Sequence, residues 1–163
     1  MNVQALMKSN VKSAGTDASV AEVVAIMEAN DCGAVPVVDR ENKVVGMITD
    51  RDICLALGPR RLPAAGIAVT DVMSKKVYAC GPGEEILEAL ETMRNKKVRR
   101  LPVIDGEGQL VGILSMDDIV LHAESGKAEK VEEKAELGYG RTVDTLKGIY
   151  ERPGAEKELI AHP

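Results

Sequence analysis

The chain has 163 residues, 45% of them apolar, and a formal net charge of −5. That apolar share supports a packed core and excludes global disorder, and the acidic balance argues against a general nucleic-acid binder, which needs a basic stripe to release counterions. With no Trp, no Phe and three Tyr, the core must be built from Val, Ile, Leu, Met and Ala, as in a Val-rich sheet covered by helices.

The opening Met1-Asn2-Val3-Gln4 lacks the basic-then-apolar pattern of a signal peptide, and no apolar run approaches the length of a membrane span. Val11 to Ala14 reads as a short strand. Asp17 or Ser19 can cap the next helix, whose stripe is Val20, Val23, Val24 and Met27. Ala34 to Asp39 and Lys43 to Thr49 read as strands joined into a hairpin by Arg40-Glu41-Asn42. Thr49 caps a helix through Ile53 to Leu57, and Gly58-Pro59 ends it.

Gly58 to Ala68, rich in Pro, Gly and Ala, reads as a linker, and Thr70 as the cap of a leading turn over Asp71 to Met73. Val77 to Cys80 is a second short strand. Ile86, Leu90 and Met93 mark a helix, Leu101 to Asp105 and Gln109 to Ser115 a hairpin, and a last helix starts near Met116. Ser125 to Leu137 is highly charged, with a thin stripe of Ala128, Val131 and Ala135 that Gly138 ends. Thr142 can start a short helix bearing Val143, Leu146 and Tyr150, stopped by Pro153.

These elements repeat. A shift of 66 residues lays Met7 on Met73, Val11 on Val77, Glu22 on Glu88 and Met27 on Met93. It lays Pro36-Val37 on Pro102-Val103, Val45-Gly46 on Val111-Gly112, and Asp52-Ile53 on Asp118-Ile119. The chain is a tandem duplication of one βαββα unit: residues 1–68 hold the first copy and linker, 69–124 the second, and 125–163 a charged tail. One unit is too small to stand alone, so two are expected to pack about a pseudo-twofold, leaving a cleft between them as a natural ligand site.

The chemistry concentrates where strand turns to helix: Gly46-Met47-Ile48-Thr49-Asp50-Arg51-Asp52 and Gly112-Ile113-Leu114-Ser115-Met116-Asp117-Asp118. The glycine admits a close neighbour to the backbone. A carboxylate repels phosphate, so Asp52 and Asp118 suit the neutral diol of a ribose, while Thr49, Ser115 and nearby N–H groups suit phosphate oxygens. Thr-x-x-Asp and Ser-x-x-Asp also serve as helix caps, and a duplicated cap would recur as well.

In order and spacing, Ala34-Val35-Pro36-Val37-Val38-Asp39, Val45 to Ile53, Val98-Arg99-Arg100-Leu101-Pro102-Val103-Ile104-Asp105 and Gly112 to Ile119 resemble cystathionine-β-synthase (CBS) domains, here as a tandem pair over roughly residues 3–124. The resemblance implies an α+β fold of two βαββα repeats with three-stranded sheets packed together, and a disc-like homodimer of pairs. It implies an adenosine ligand: AMP, ADP or ATP first, S-adenosylmethionine or NADH next. It places the ribose on Asp52 and Asp118 and the hydroxyl role on Thr49 and Ser115. The base then sits against Val11 to Ala14, Val35 and Pro36 in copy one, and Val77 to Cys80, Leu101 and Pro102 in copy two.

The copies differ in charge. Copy one offers Arg51 as a phosphate ligand, where copy two has Met116-Asp117; copy two carries Arg99-Arg100 where copy one has Gly33-Ala34. If clefts borrow across the pseudo-twofold, the Thr49/Asp52 cleft collects Arg51 with Arg99 or Arg100 and binds more tightly; the same arginines also suit a solvated helix end. Tyr78 reads as a base-stacking or core residue, and Met7, Met27, Met73 and Met93 as core filler.

Cys32, Cys54 and Cys80 have no metal or disulfide spacing, and His122 and His162 stand alone. Without a catalytic set, the expected function is a cytoplasmic, non-catalytic nucleotide sensor that signals to an effector protein and touches neither nucleic acid nor membrane. The alternative is a ligand-independent dimerisation module with vestigial clefts.

Overall fold

A computed structural model describes residues 1–59, 63–122 and 139–150. Copy one runs β1 (Ala14–Gly15), α1 (Val20–Asn30), β2 (Ala34–Val38), β3 (Val44–Thr49) and α2 (Asp50–Leu57). Copy two runs α3 (Ile86–Lys96), β4 (Arg100–Ile104), β5 (Leu110–Ser115) and α4 (Met116–His122), and α5 (Tyr139–Tyr150) follows. The α+β duplication is therefore as expected. Ala128, Val131, Ala135, Pro153 and His162 lie outside the described residues.

Local chemistry explains the elements, and it recurs. Ser19 caps α1 in a reciprocal box with Glu22. Asp39 Oδ1 accepts from the Glu41 and Lys43 N–H groups, each at 2.9 Å, and Asp105 Oδ1 does the same for Glu107 and Gln109. This carboxylate, the last of each Pro-Val-x-Asp motif, pins each hairpin turn. The turns also need a left-handed residue, supplied by Asn42 (φ 62°) and its match Gly108 (φ 82°), two residue types that tolerate that region.

Copy two departs from a three-stranded sheet. β1 pairs parallel with β2 through Ala14↔Val37 and Gly15↔Val38. In copy two only Cys80↔Val103 remains, held by Cys80 N–H to Pro102 O at 3.2 Å and Ile104 N–H to Cys80 O at 3.0 Å. The next rung needs an N–H from residue 82, which is proline and has none. The first strand also starts later than Val11, at Ala14.

There are two cores, and each is finished by the other copy. Val3 and Leu6 lie in the copy-two cluster with Met93, Leu101, Leu114 and Ile119. Ile67 at the end of the linker and Val69, which opens copy two, lie in the copy-one cluster with Val23, Val35, Val37 and Ile48. Backbone pairs fix this exchange: Asn2 bridges Glu85 and Lys8 bridges Ile113, while Ala68 bridges Ser19 and Ser74 bridges Met47. The leading segments thus cross and clasp the two copies together. Thr70 sits inside a 3-10 turn, Val69–Asp71, whose cap position is Ala68, so it does not cap.

Candidate functional site

Each strand-to-helix motif closes into a capping box. Thr49 Oγ1 donates to Asp52 Oδ2 at 2.7 Å, the Thr49 N–H donates to the same oxygen at 2.9 Å, and the Asp52 N–H returns a bond to Thr49 Oγ1 at 3.2 Å. Ser115 and Asp118 repeat all three contacts, with Ser115 Oγ donating to Asp118 Oδ2. The Thr49 proton is thereby committed to Asp52, so this hydroxyl turns only lone pairs outward. Asp52 Oδ1 has no partner among the described residues, whereas Asp118 Oδ1 lies 3.7 Å from Lys8 Nζ.

Two clefts open beside these boxes, and both are built crosswise. The larger, about 380 Å³, joins Thr49, Asp50, Arg51 and Asp52 of copy one to Ser74, Lys76 and Tyr78 of the segment entering copy two. Lys97, Val98, Arg99 and Arg100, just ahead of or opening β4, complete its wall with Gly33 and Ala34. The smaller, about 240 Å³, joins Ser115, Asp117 and Asp118 of copy two to Lys8, Asn10, Val11 and Lys12 of the first leading segment. Asn30 to Ala34, Arg100 and Ile113 complete it.

The clefts differ most in charge. Among the described residues lining the larger, five are cations (Arg51, Lys76, Lys97, Arg99 and Arg100) and two are carboxylates, Asp50 and Asp52, and Lys97 and Arg99 each make a further interaction of their own. Around the smaller, Lys8, Lys12 and Arg100 face Asp31, Asp117 and Asp118. The larger cleft therefore carries a positive field suited to an anion, and the smaller is close to neutral. Tyr78 stands at the larger cleft with Lys76 and Lys96 ammonium groups 5.6 and 5.5 Å from its ring centre. It also packs on the copy-two core.

The structure brings Thr49, Arg51, Asp52, Arg99 and Arg100 to one cleft, and Ser115, Asp118 and Arg100 to the other. It does not bring Val35, Pro36, Leu101 or Pro102 to either wall. All four are buried within β2 and β4, and the residues just before them line the clefts instead. The space beside Gly46 and Gly112 is also taken: a Cβ at Gly46 would collide with Met73 Sδ, and one at Gly112 would meet Met7 Sδ at 2.7 Å. Sequence reasoning missed Lys8, Lys12 and Lys76, because only the crossing of the leading segments carries them to the opposite copy's motif. Burial, aided by Glu84, pushes the Cys80 thiol up to about 12, which makes it an inert core group.

Among the described residues, no group of three or more His, Cys, Asp or Glu is placed to hold a metal ion, and no helix is long and apolar enough to cross a membrane. The chain is 36% identical over 124 residues to inosine-5'-monophosphate dehydrogenase of Methanocaldococcus jannaschii; the match covers 72% of this chain but spans only 24% of that enzyme. Hypoxic Response Protein I, solved with two coordinated zinc ions, is similar at 28% identity with a TM-score of 0.69 over 76% of this chain and all of that one. The CBS domain pair of protein MJ0100, solved with 5'-methylthioadenosine and S-adenosyl-L-methionine, shares the fold at 24% identity, with a TM-score of 0.68 over 74% of this chain and 94% of that one. The CBS domain itself matches twice, over residues 3–58 and 69–125, and the chain belongs to the CBS domain family as a tandem pair.

Proposed function

We propose that this protein is a non-catalytic sensor that binds an adenosine nucleotide in the Thr49/Asp52 cleft and passes the bound state to an effector protein. The carrying observation is the charge of that cleft, five cations against two carboxylates in about 380 Å³, within the range of ligand pockets. Asp52 Oδ1 accepts from the ribose diol. The phosphate falls to Arg51, Arg99 and Arg100, because the Thr49 proton already serves Asp52. AMP, ADP or ATP fits this division, with S-adenosylmethionine and NADH as the other adenosine compounds. The ligands of the MJ0100 pair support the adenosine part of the reading.

Both carboxylates are held as helix caps by the backbone and hydroxyl of the residue three before, which supports a binding role. Three free thiols fit a reducing, cytoplasmic setting. The chain pairs with a second copy through α1 and α2, where Val24 and Leu55 stand 41% and 62% exposed.

Calorimetry with AMP, ADP, ATP, S-adenosylmethionine and NADH tests the reading. At least one gives saturable heat, and Asp52→Ala weakens it at least about tenfold, the worth of one charge-assisted bond pair. No saturable heat with any of them overturns it and leaves the dimerisation module.

A further inference from the structure

We infer that Arg100 couples the two clefts, so that a phosphate held in one weakens the other's grip on an anion. The inference rests on the nucleotide reading above. Gly33, Ala34 and Arg100 line both clefts. The 66-residue shift lays Ala34 on Arg100, so these two residues occupy equivalent places about the pseudo-twofold. Each also opens its hairpin opposite the capping hydroxyl: Ala34 pairs with Thr49, and Arg100 with Ser115. A fully symmetric pair would carry a cation on both sides of the axis. Here one arginine borders both clefts, and its guanidinium has no hydrogen bond or ion pair among the described residues.

A guanidinium is charged at all working pH values, and its planar fork engages one phosphate at a time in bidentate fashion. The two clefts do not lose equally when it is taken. Without Arg100 the larger cleft still has four cations against two carboxylates. The smaller is left with Lys8 and Lys12 against Asp31, Asp117 and Asp118, and Lys8 already lies 3.7 Å from Asp118. The first phosphate therefore takes the larger cleft and Arg100 with it. The second cleft then repels an anion but accepts an adenosine compound that has no phosphate. By linkage the coupling acts equally in both directions.

The experiment is AMP calorimetry on the full chain and on variants at positions 51, 52 and 100, with thermal unfolding to verify folding. The wild-type chain binds AMP in a tight step and a second step at least about tenfold weaker. With the larger cleft disabled by Asp52→Ala, AMP binds the second cleft at least about tenfold tighter than in that wild-type second step. Arg51→Glu, at an exposed site, replaces Asp52→Ala if the latter does not fold. Adding Arg100→Gln to either variant removes the gain, while 5'-methylthioadenosine binds the second cleft equally with and without AMP. A gain below about threefold overturns the coupling. A gain that survives Arg100→Gln also overturns the inference, because it assigns the effect to direct repulsion between phosphates. Absence of any AMP heat in the wild-type chain overturns the nucleotide reading itself.

Discussion

On matched faces of the two long helices, Leu90 is 3% exposed and Val24 is 41% exposed. The difference comes from outside the repeat. α5 lies along α3, its Leu146 and Ile149 pack on the copy-two core, and Thr142 and Thr145 are buried there, whereas α1 has no such cover among the described residues. The described helix of the tail, α5, thus packs on copy two. The same asymmetry runs through the other features. Ser19 caps α1, while its match Glu85 gives α3 no side-chain cap. Pro82 removes a strand rung, and the clefts carry unequal charge. Duplication repeats the fold, but the surroundings of each copy decide what its surface is for.

That comparison breaks most visibly in stability. Leu90→Ala is expected to cost about 2–4 kcal/mol, as for a buried leucine, and Val24→Ala less than about 0.5 kcal/mol, read by urea denaturation. Equal losses would mean that α5 does not cover α3 in solution. The glycines give a smaller contrast. A Cβ at Gly112 would stand 3.0 Å from the Lys8 carbonyl oxygen as well as against Met7, while one at Gly46 meets only the flexible Met73 thioether. Gly112→Ala is expected to cost about 1–3 kcal/mol and Gly46→Ala less, read by urea denaturation.

Two titrations sharpen the comparison further. The Cys80 thiol is raised to about 12, so its buried neutral form favours the folded state fully below the ordinary thiol range. That contribution is lost as pH rises from about 9 toward 12, and Cys80→Ala flattens the alkaline limb of a stability profile. Cys54, exposed on α2, reacts with iodoacetamide while Cys80 waits for unfolding. The smallest effect is at Glu22. Its backbone and then side-chain hydrogen bonds with Ser19 hold the carboxyl below its ordinary 4.5. The stabilisation is present above that value and fades as pH falls through the lowered one. Glu22→Gln removes this acid dependence, read from the acid limb of a stability profile.

Much of the fold was legible because its signals are local. A Pro-Val-x-Asp motif states its own turn, since the carboxylate reaches only the N–H groups two and four residues on. A Thr-x-x-Asp motif states its own cap. The site was less legible. Thr49, Asp52, Ser115 and Asp118 stand out in the sequence, yet Val35, Pro36, Leu101 and Pro102 went to the core, where residues in β2 and β4 pack among other buried side chains. Lys8, Lys12 and Lys76 gave no signal, because a lysine in a leader looks like any solvated lysine.

Residue order sets the repeat, the register of one copy on the other, the capping boxes, the hairpins and the apolar faces. Each of these follows from residues within a few positions of one another or from the 66-residue shift. Packing decided that the leading segments cross, that each cleft is shared between copies, that one arginine borders both, and that α5 lies along α3. Those outcomes depend on which of several similar apolar surfaces meet. Two copies of one unit present apolar stripes of the same kind, so the pattern of apolar residues alone does not separate a segment that packs on its own copy from one that packs on the other.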